Sequence, residues 1–166
     1  GRVYPCPRAT ARVAPTEIEM SKKLTQISLQ NISYSIAEKT IVNDISVNIV
    51  SGSMTAIMGL NGSGKTTLLR LMGGFLKPTT GSVRSDGSDV SDLPARELAI
   101  KLAYVPPDFP VLFPFTVKEF VLMGRFAWQK GLFNSPTDFD RVHDVLKRLN
   151  LLAFEKRSVL SLSSGE

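Results

Sequence analysis

Over residues 24–36 the apolar positions Leu24, Ile27, Leu29, Ile32, Tyr34 and Ile36 largely alternate with polar ones. That near period-2 spacing turns one face of a strand toward a core. Residues 41–49 repeat it through Ile45, Val47 and Ile49, so the spacing predicts two strands joined by a turn at residues 37–40. Ser51, Gly52 and Ser53 make another turn, and residues 54–58 form a short apolar run of the kind buried on both faces of a parallel sheet. A glycine-rich loop follows, then a Leu-rich helix over residues 65–72 that Gly73 and Gly74 end. A short strand is predicted at residues 81–84, a short helix at 93–99 and a second buried strand at 102–105.

Beyond Pro106 the chain turns to Pro, Phe and helix formers. Thr116, with Glu119 three residues on, reads as a capping box opening a helix over residues 116–126. Ser135, Pro136 and Asp138 open another, as cap, first-turn proline and acid three after the cap. Its apolar residues Phe139, Val142, Val145, Leu146 and Leu149 line one face. The prediction is therefore an α/β core with an antiparallel β subdomain over residues 21–106, followed by a helical subdomain over 107–166. Residues 1–20, with Pro5, Pro7 and Pro15 and no periodicity, read as a disordered or non-native lead, with Met20 as the natural start. No internal repeat is visible.

Composition changes this picture little. At 166 residues, 43% hydrophobic and 21% charged, the chain is ordinary globular material for one domain, with room for a subdomain. The net charge of +5 suits contact with phosphates or an acidic surface, although a mildly basic solvated exterior accounts for most of it. Cys6 is the single cysteine, which excludes an intrachain disulfide and a cysteine-only metal site and fits a reducing, cytoplasmic setting. No apolar stretch approaches the ~18–20 residues of a membrane helix, and no secretory leader is readable. Work at a membrane would have to go through a partner.

Residues 59–67 carry the chemistry. They read Gly59, Leu60, Asn61, Gly62, Ser63, Gly64, Lys65, Thr66, Thr67, which satisfies the P-loop pattern of Gly, four residues, Gly, Lys and Ser or Thr. A triphosphate must be enclosed by inward-pointing backbone N–H groups, so glycine is needed where a side chain would block approach or φ is positive. A helix starting near Lys65 adds its N-terminal amides and positive dipole end. Lys65 would neutralise the β and γ phosphates of ATP, and the Thr66 hydroxyl would ligate Mg2+. With glycine near 7% of residues, chance produces this pattern in roughly one chain in a hundred or fewer. A dinucleotide fingerprint is disfavoured, because after Gly62 and Gly64 the third glycine position holds Thr67.

The end of the chain, Leu162, Ser163, Ser164, Gly165 and Glu166, resembles the signature of ABC-type ATPases, usually Leu-Ser-Gly-Gly followed by Gln or Glu. The separation from the phosphate loop matches as well. Residues 93–99, 115–125 and the stretch from Leu151 and Leu152 to the signature look most like the iron-siderophore, haem and cobalamin branch of the importer ATPases. The resemblance implies a P-loop NTPase core of ABC type, incomplete at the C-terminus. It also implies ATP and Mg2+ as ligands, and residues 162–166 contacting the ATP held on a second ATP-binding subunit. The further partners implied are transmembrane permease subunits and, indirectly, a periplasmic or surface substrate-binding protein, with no nucleic acid, at the cytoplasmic face of the bacterial inner membrane. Two other readings stay open: a soluble ABC-type ATPase acting on nucleic acid or ribosomes, and a non-catalytic remnant.

Several positions depart from the family pattern. Where the family stacks adenine on an aromatic residue this chain has Ile36, with Tyr34 two residues earlier as a substitute or a core residue. Pro107 stands where a glutamine helps hold magnesium, and Ser164 replaces a glycine. The magnesium-binding Asp, catalytic Glu and switch His of the family fall C-terminal to the signature, so no catalytic residue is assigned here and this chain is expected to bind ATP without hydrolysing it. His143 reads as a solvated histidine, and Asp86, Asp89 and Asp92 as a solvated turn. Phe109, Phe113, Phe115, Phe120, Phe126 and Trp128 read mainly as core of the helical subdomain, with a partner surface as the alternative.

Overall fold

The computed structural model describes residues 12–13, 25–107, 113–129, 131 and 133–163. They belong to two compact units, Gly1–Ala103 and Tyr104–Glu166.

The first unit is built on a long hairpin. Strands β2 (Thr25–Ile36) and β3 (Lys39–Val50) pair antiparallel from Thr25 opposite Val50 to Ile36 opposite Lys39. The far side of β2 pairs with β5 (Thr80–Ser85), which in turn pairs with β6 (Ser88–Asp89), giving the order β3-β2-β5-β6. Helix α1 (Lys65–Met72) buries Leu68, Leu71 and Met72, one stripe of its surface. These join Leu29, Ile32, Val42, Val83 and Val90 in a single core. Each fully buried Leu or Ile there is worth ~1.5–3 kcal/mol.

Leu29 and Ile32 are both buried although strict alternation would send them to opposite faces. The ladder absorbs the mismatch: its register slips between Leu29 and Ile32, at Asn31, which has φ 48°. Across from it Asp44 also has positive φ, 49°. The Asn31 side-chain amide donates to the Asp44 carboxylate at 2.9 Å, and the Asp44 and Asn31 backbone amides donate to Ser33 and Ser46 hydroxyls, each at 2.9 Å. Asn and Asp tolerate this conformation better than other non-glycine residues.

Two expected strands are corrected. Only β4 (Ile57–Met58) forms within residues 54–58, and Met54 and Met58 are 94% and 67% exposed instead of buried. Residues 102–105 form no strand, and Val105 is 90% exposed. A buried parallel strand exists only through neighbours on both sides, and no parallel pairing occurs among the described residues. What β4 does pair with is β1 (Arg12–Val13), antiparallel. That pairing falls inside the stretch expected to be disordered, and the rest of residues 1–20 lies outside the described residues. Helix α2 (Ala95–Lys101) starts two residues later than predicted, after Pro94.

The second unit packs α3 (Val117–Met123) against α4 (Pro136–Arg148) around Val117, Val142 and Leu146, with Leu151, Leu152, Phe154, Val159 and Leu162 at the margin. Both expected capping boxes form. Glu119 accepts from the Thr116 amide and hydroxyl at 2.8 Å each, and those two donors, the amide first, hold its carboxyl below the usual range. Asp138 accepts from the Ser135 hydroxyl at 2.7 Å and amide at 3.0 Å, and its other oxygen takes Arg125 Nε at 2.9 Å. The aromatic residues are corrected in part: Phe113, Phe126 and Trp128 are exposed, and Phe109 lies outside the described residues. The aliphatic residues of α3 and α4 already fill the space between the two helices, leaving the aromatic ones at its edge.

The Ser135 donors and Arg125 lower the Asp138 pKa from 3.8 to about 2. A carboxyl depressed on folding stabilises the fold above its unfolded pKa and loses that contribution as pH falls through the folded one. With Glu119 depressed as well, the stability of the α3–α4 unit should therefore be level above pH ~5 and fall toward pH ~2. Trp128, the single tryptophan, lies under the Arg125 guanidinium at 4.6 Å, so its fluorescence reports the loss. Asp138→Asn should flatten the acid limb of the urea midpoint against pH. An unchanged limb would show that this carboxylate does not control it.

Candidate nucleotide-binding site

The phosphate loop runs from β4 into α1. Ser63 N–H closes a turn on the Leu60 carbonyl at 3.2 Å, and Leu68 N–H bonds the Gly64 carbonyl at 2.8 Å as the helix begins. Gly64 is the helix cap, at φ 87° and ψ 6°. A Cβ there would stand 2.8 Å from the Ile41 carbonyl oxygen and 3.4 Å from Val42 Cγ2. Two constraints thus demand glycine at this point: left-handed backbone and direct seating of the loop on β3.

Lys65 folds back over the loop and donates from Nζ to the Gly59 and Leu60 carbonyls at 2.8 Å each. An ammonium is a compact charge with three donors on a flexible stem, and it can exchange carbonyl acceptors for phosphate oxygens without moving its backbone. Helix α1 has no side-chain cap and no acid in its first turn. Its first amides and dipole end therefore remain available to an anion. The Ser63 hydroxyl oxygen is buried without a hydrogen-bond partner among the described residues. A buried orphan hydroxyl is costly, and an added phosphate oxygen is the kind of acceptor that would satisfy it. Gly59, Asn61, Gly62, Ser63, Gly64, Lys65, Thr66 and Thr67 are all in this one loop and helix start, and Thr66 is exposed on the first turn, where its hydroxyl can reach a cation beside bound phosphates. The donor set fits a triphosphate with Mg2+.

The adenine candidates separate. Tyr34, opposite Val42, is half-buried and packs on the first unit's core. Ile36, the last residue of β2, is 59% exposed. Leu162 packs on the second unit's core and Ser163 is exposed. Ser164, Gly165 and Glu166 lie outside the described residues. Pro107 and His143 are exposed. Among the described residues no group of three or more His, Cys, Asp or Glu could hold a metal, so Asp86, Asp89 and Asp92 form no such site. No described helix is long and apolar enough to cross a membrane. The loop's seat on Ile41 had no signal in the sequence beyond the alternation of β3.

Residues 42–166 match the family model described as ABC transporter. The hemin import ATP-binding protein HmuV of Rhizobium meliloti is 38% identical over 141 residues, which cover 84% of this chain and 52% of that protein. The cobalamin import ATP-binding protein BtuD of Halobacterium salinarum is 36% identical over 140 residues, covering 84% and 35%. The chain thus spans about a third to a half of these relatives. Among solved structures, the ADP conformation of an ATP-binding cassette of an ABC transporter superposes with a TM-score of 0.69 at 25% identity, covering 85% of this chain and 60% of that one. A dimeric cassette in a post-hydrolysis state with ADP and Pi gives 0.67 at 25%, covering 84% and 64%. With the family model matching residues 42–166 and the fold in agreement, the chain belongs to the ABC transporter family, with the fold of part of its ATP-binding cassette.

Proposed function

We propose that this chain is the nucleotide-binding portion of an importer's ATP-binding subunit, serving uptake of iron-siderophore, haem or cobalamin-like cargo. The observation that carries the reading is the loop itself: a left-handed Gly64 seated on β3, Lys65 folded over two carbonyls and an uncapped helix start. The loop amides and Lys65 hold the β and γ phosphates, Ser63 gains an acceptor, and the Thr66 hydroxyl holds Mg2+, which offsets phosphate charge when bound. Ile36 is assigned to the base. Residues 162–166 are assigned to the ATP of a second ATP-binding subunit. Closure of two such subunits on ATP would be passed to membrane permease subunits at the cytoplasmic face, with a substrate-binding protein delivering cargo. ATP binding is what we assign to this chain, and we assign it no hydrolytic residue. The relatives named for hemin and cobalamin import support the cargo class.

Titration of the full chain with ATP and Mg2+ tests the reading. Saturable binding is expected, and Lys65→Ala should weaken it at least tenfold, since it removes a charged donor from a charge-assisted contact. Equal binding by parent and Lys65→Ala would remove the loop from the ligand site.

A further inference from the structure

The two halves of the phosphate loop are held by different parts of the first unit. The second half is seated on β3, where Gly64 meets the Ile41 carbonyl. The first half continues directly from β4, since Met58 precedes Gly59. Within β4, Ile57 packs at the margin of the first core while Met58 is 67% exposed. Of these two residues, one alone is held by packing.

The other hold on β4 is β1. Arg12 stands opposite Met58 and Val13 opposite Ile57, and among the described residues β4 has no other strand partner. The pair forms a sheet of its own, separate from β3-β2-β5-β6 and from the core that Leu29, Ile32, Leu68 and Val83 build with that sheet and α1. A pairing of two strands is marginal by itself, so it opens without unfolding the unit. Opening reaches the site at once, because Gly59 and Leu60 follow β4 and their carbonyls are the ones that accept from Lys65 Nζ. A site whose competent arrangement is populated for part of the time binds with its affinity reduced by that fraction.

We propose that the backbone of Arg12–Val13 is a positioning strap for the phosphate loop: paired with β4 it holds Gly59 and Leu60 in the arrangement that receives nucleotide, and released it frees that half of the loop. The proposal rests on the nucleotide-binding reading above and goes beyond it by making affinity depend on a segment far upstream of the loop. Such coupling is reciprocal, so bound nucleotide holds the strap down by the same factor.

Both directions are measured on the full chain with ATP and Mg2+. In an antiparallel pair only one of two successive residues directs its N–H to the partner, so Arg12→Pro combined with Val13→Pro removes that donor whichever residue carries it. The double variant should bind ATP about fivefold more weakly and keep the parental urea midpoint by circular dichroism, because β1 lies outside the four-stranded sheet and its core. In the parent, tryptic cleavage after Arg12 follows the released population, and saturating ATP should slow it about fivefold relative to an added peptide standard. Parental affinity in the proline variant, or cleavage after Arg12 indifferent to ATP, would overturn the proposal and leave the phosphate-loop reading standing. Affinity lost only together with the urea midpoint would also overturn it, since β1 would then support the unit as a whole. Failure of the parent to bind ATP would overturn both.

Discussion

Gly64→Ala is expected to abolish nucleotide binding and to lower the melting temperature of the chain. Its Cβ would have to sit 2.8 Å from the Ile41 carbonyl oxygen, a backbone atom that cannot swing aside. The backbone conformation, φ 87°, is itself disfavoured for a side-chain-bearing residue by ~1–2 kcal/mol. Relief requires the loop to lift from β3, which misdirects the first amides of α1 and drags Lys65 with them. Gly62→Ala is the matched control: its φ is 80°, yet nothing lies within 4 Å of the added methyl. It should lose only the ~1–2 kcal/mol of the left-handed backbone and keep a seated loop. Melting curves and ATP titrations of both variants separate the cases. A Gly64→Ala protein that melted and bound like the parent would mean the loop is not seated on Ile41.

Gly81→Ala is expected to cost more stability without touching the phosphate loop. Gly81 has φ 83°, and a methyl there would meet the Gln30 and Asn31 carbonyl oxygens at 2.3 and 2.4 Å and the Asn31 carbonyl carbon at 2.6 Å. All three belong to the backbone at the β2 bulge, where the register between β2 and β5 also slips. The β2–β5 pairing must open or the bulge must move, and either exposes core around Leu29, Ile32 and Val83. A loss of at least ~3 kcal/mol follows, in the range reserved for backbone conflicts in a packed region, against a typical total of ~5–15 kcal/mol. Urea unfolding monitored by circular dichroism measures it. Any folded fraction should still bind ATP with parental affinity, and a loss below ~1 kcal/mol, the size of an ordinary surface change, would show that the bulge adapts.

Much of the molecule was readable along the chain because its causes are local. The bounds of α1 at Lys65 and Met72 follow from a glycine cap before, a glycine pair after and a leucine stripe between. Thr116 with Glu119 and Ser135 with Asp138 form the capping boxes their three-residue spacing implies. The phosphate-loop pattern was legible for the same reason, since its glycines, lysine and threonines stand at fixed spacing within residues 59–67. Arg125 reaching Asp138 was not legible: thirteen residues separate them, and only the packing of α3 on α4 brings them together. The buried strands expected at residues 54–58 and 102–105 failed because apolar content records a tendency to be covered, whereas a strand needs a neighbour.

The sequence by itself determined the hairpin, the bounds of α1, the two capping boxes and the family, because each depends on residues within hydrogen-bonding reach along the chain or on a pattern of fixed spacing. Only the tertiary structure decided that Gly64 rests on Ile41, that Tyr34 belongs to the core while Ile36 stands open, and that Asn31 and Asp44 take up a slip in register. Those outcomes depend on which surfaces meet once strands pair, and alternation along one strand carries no information about the backbone it will face.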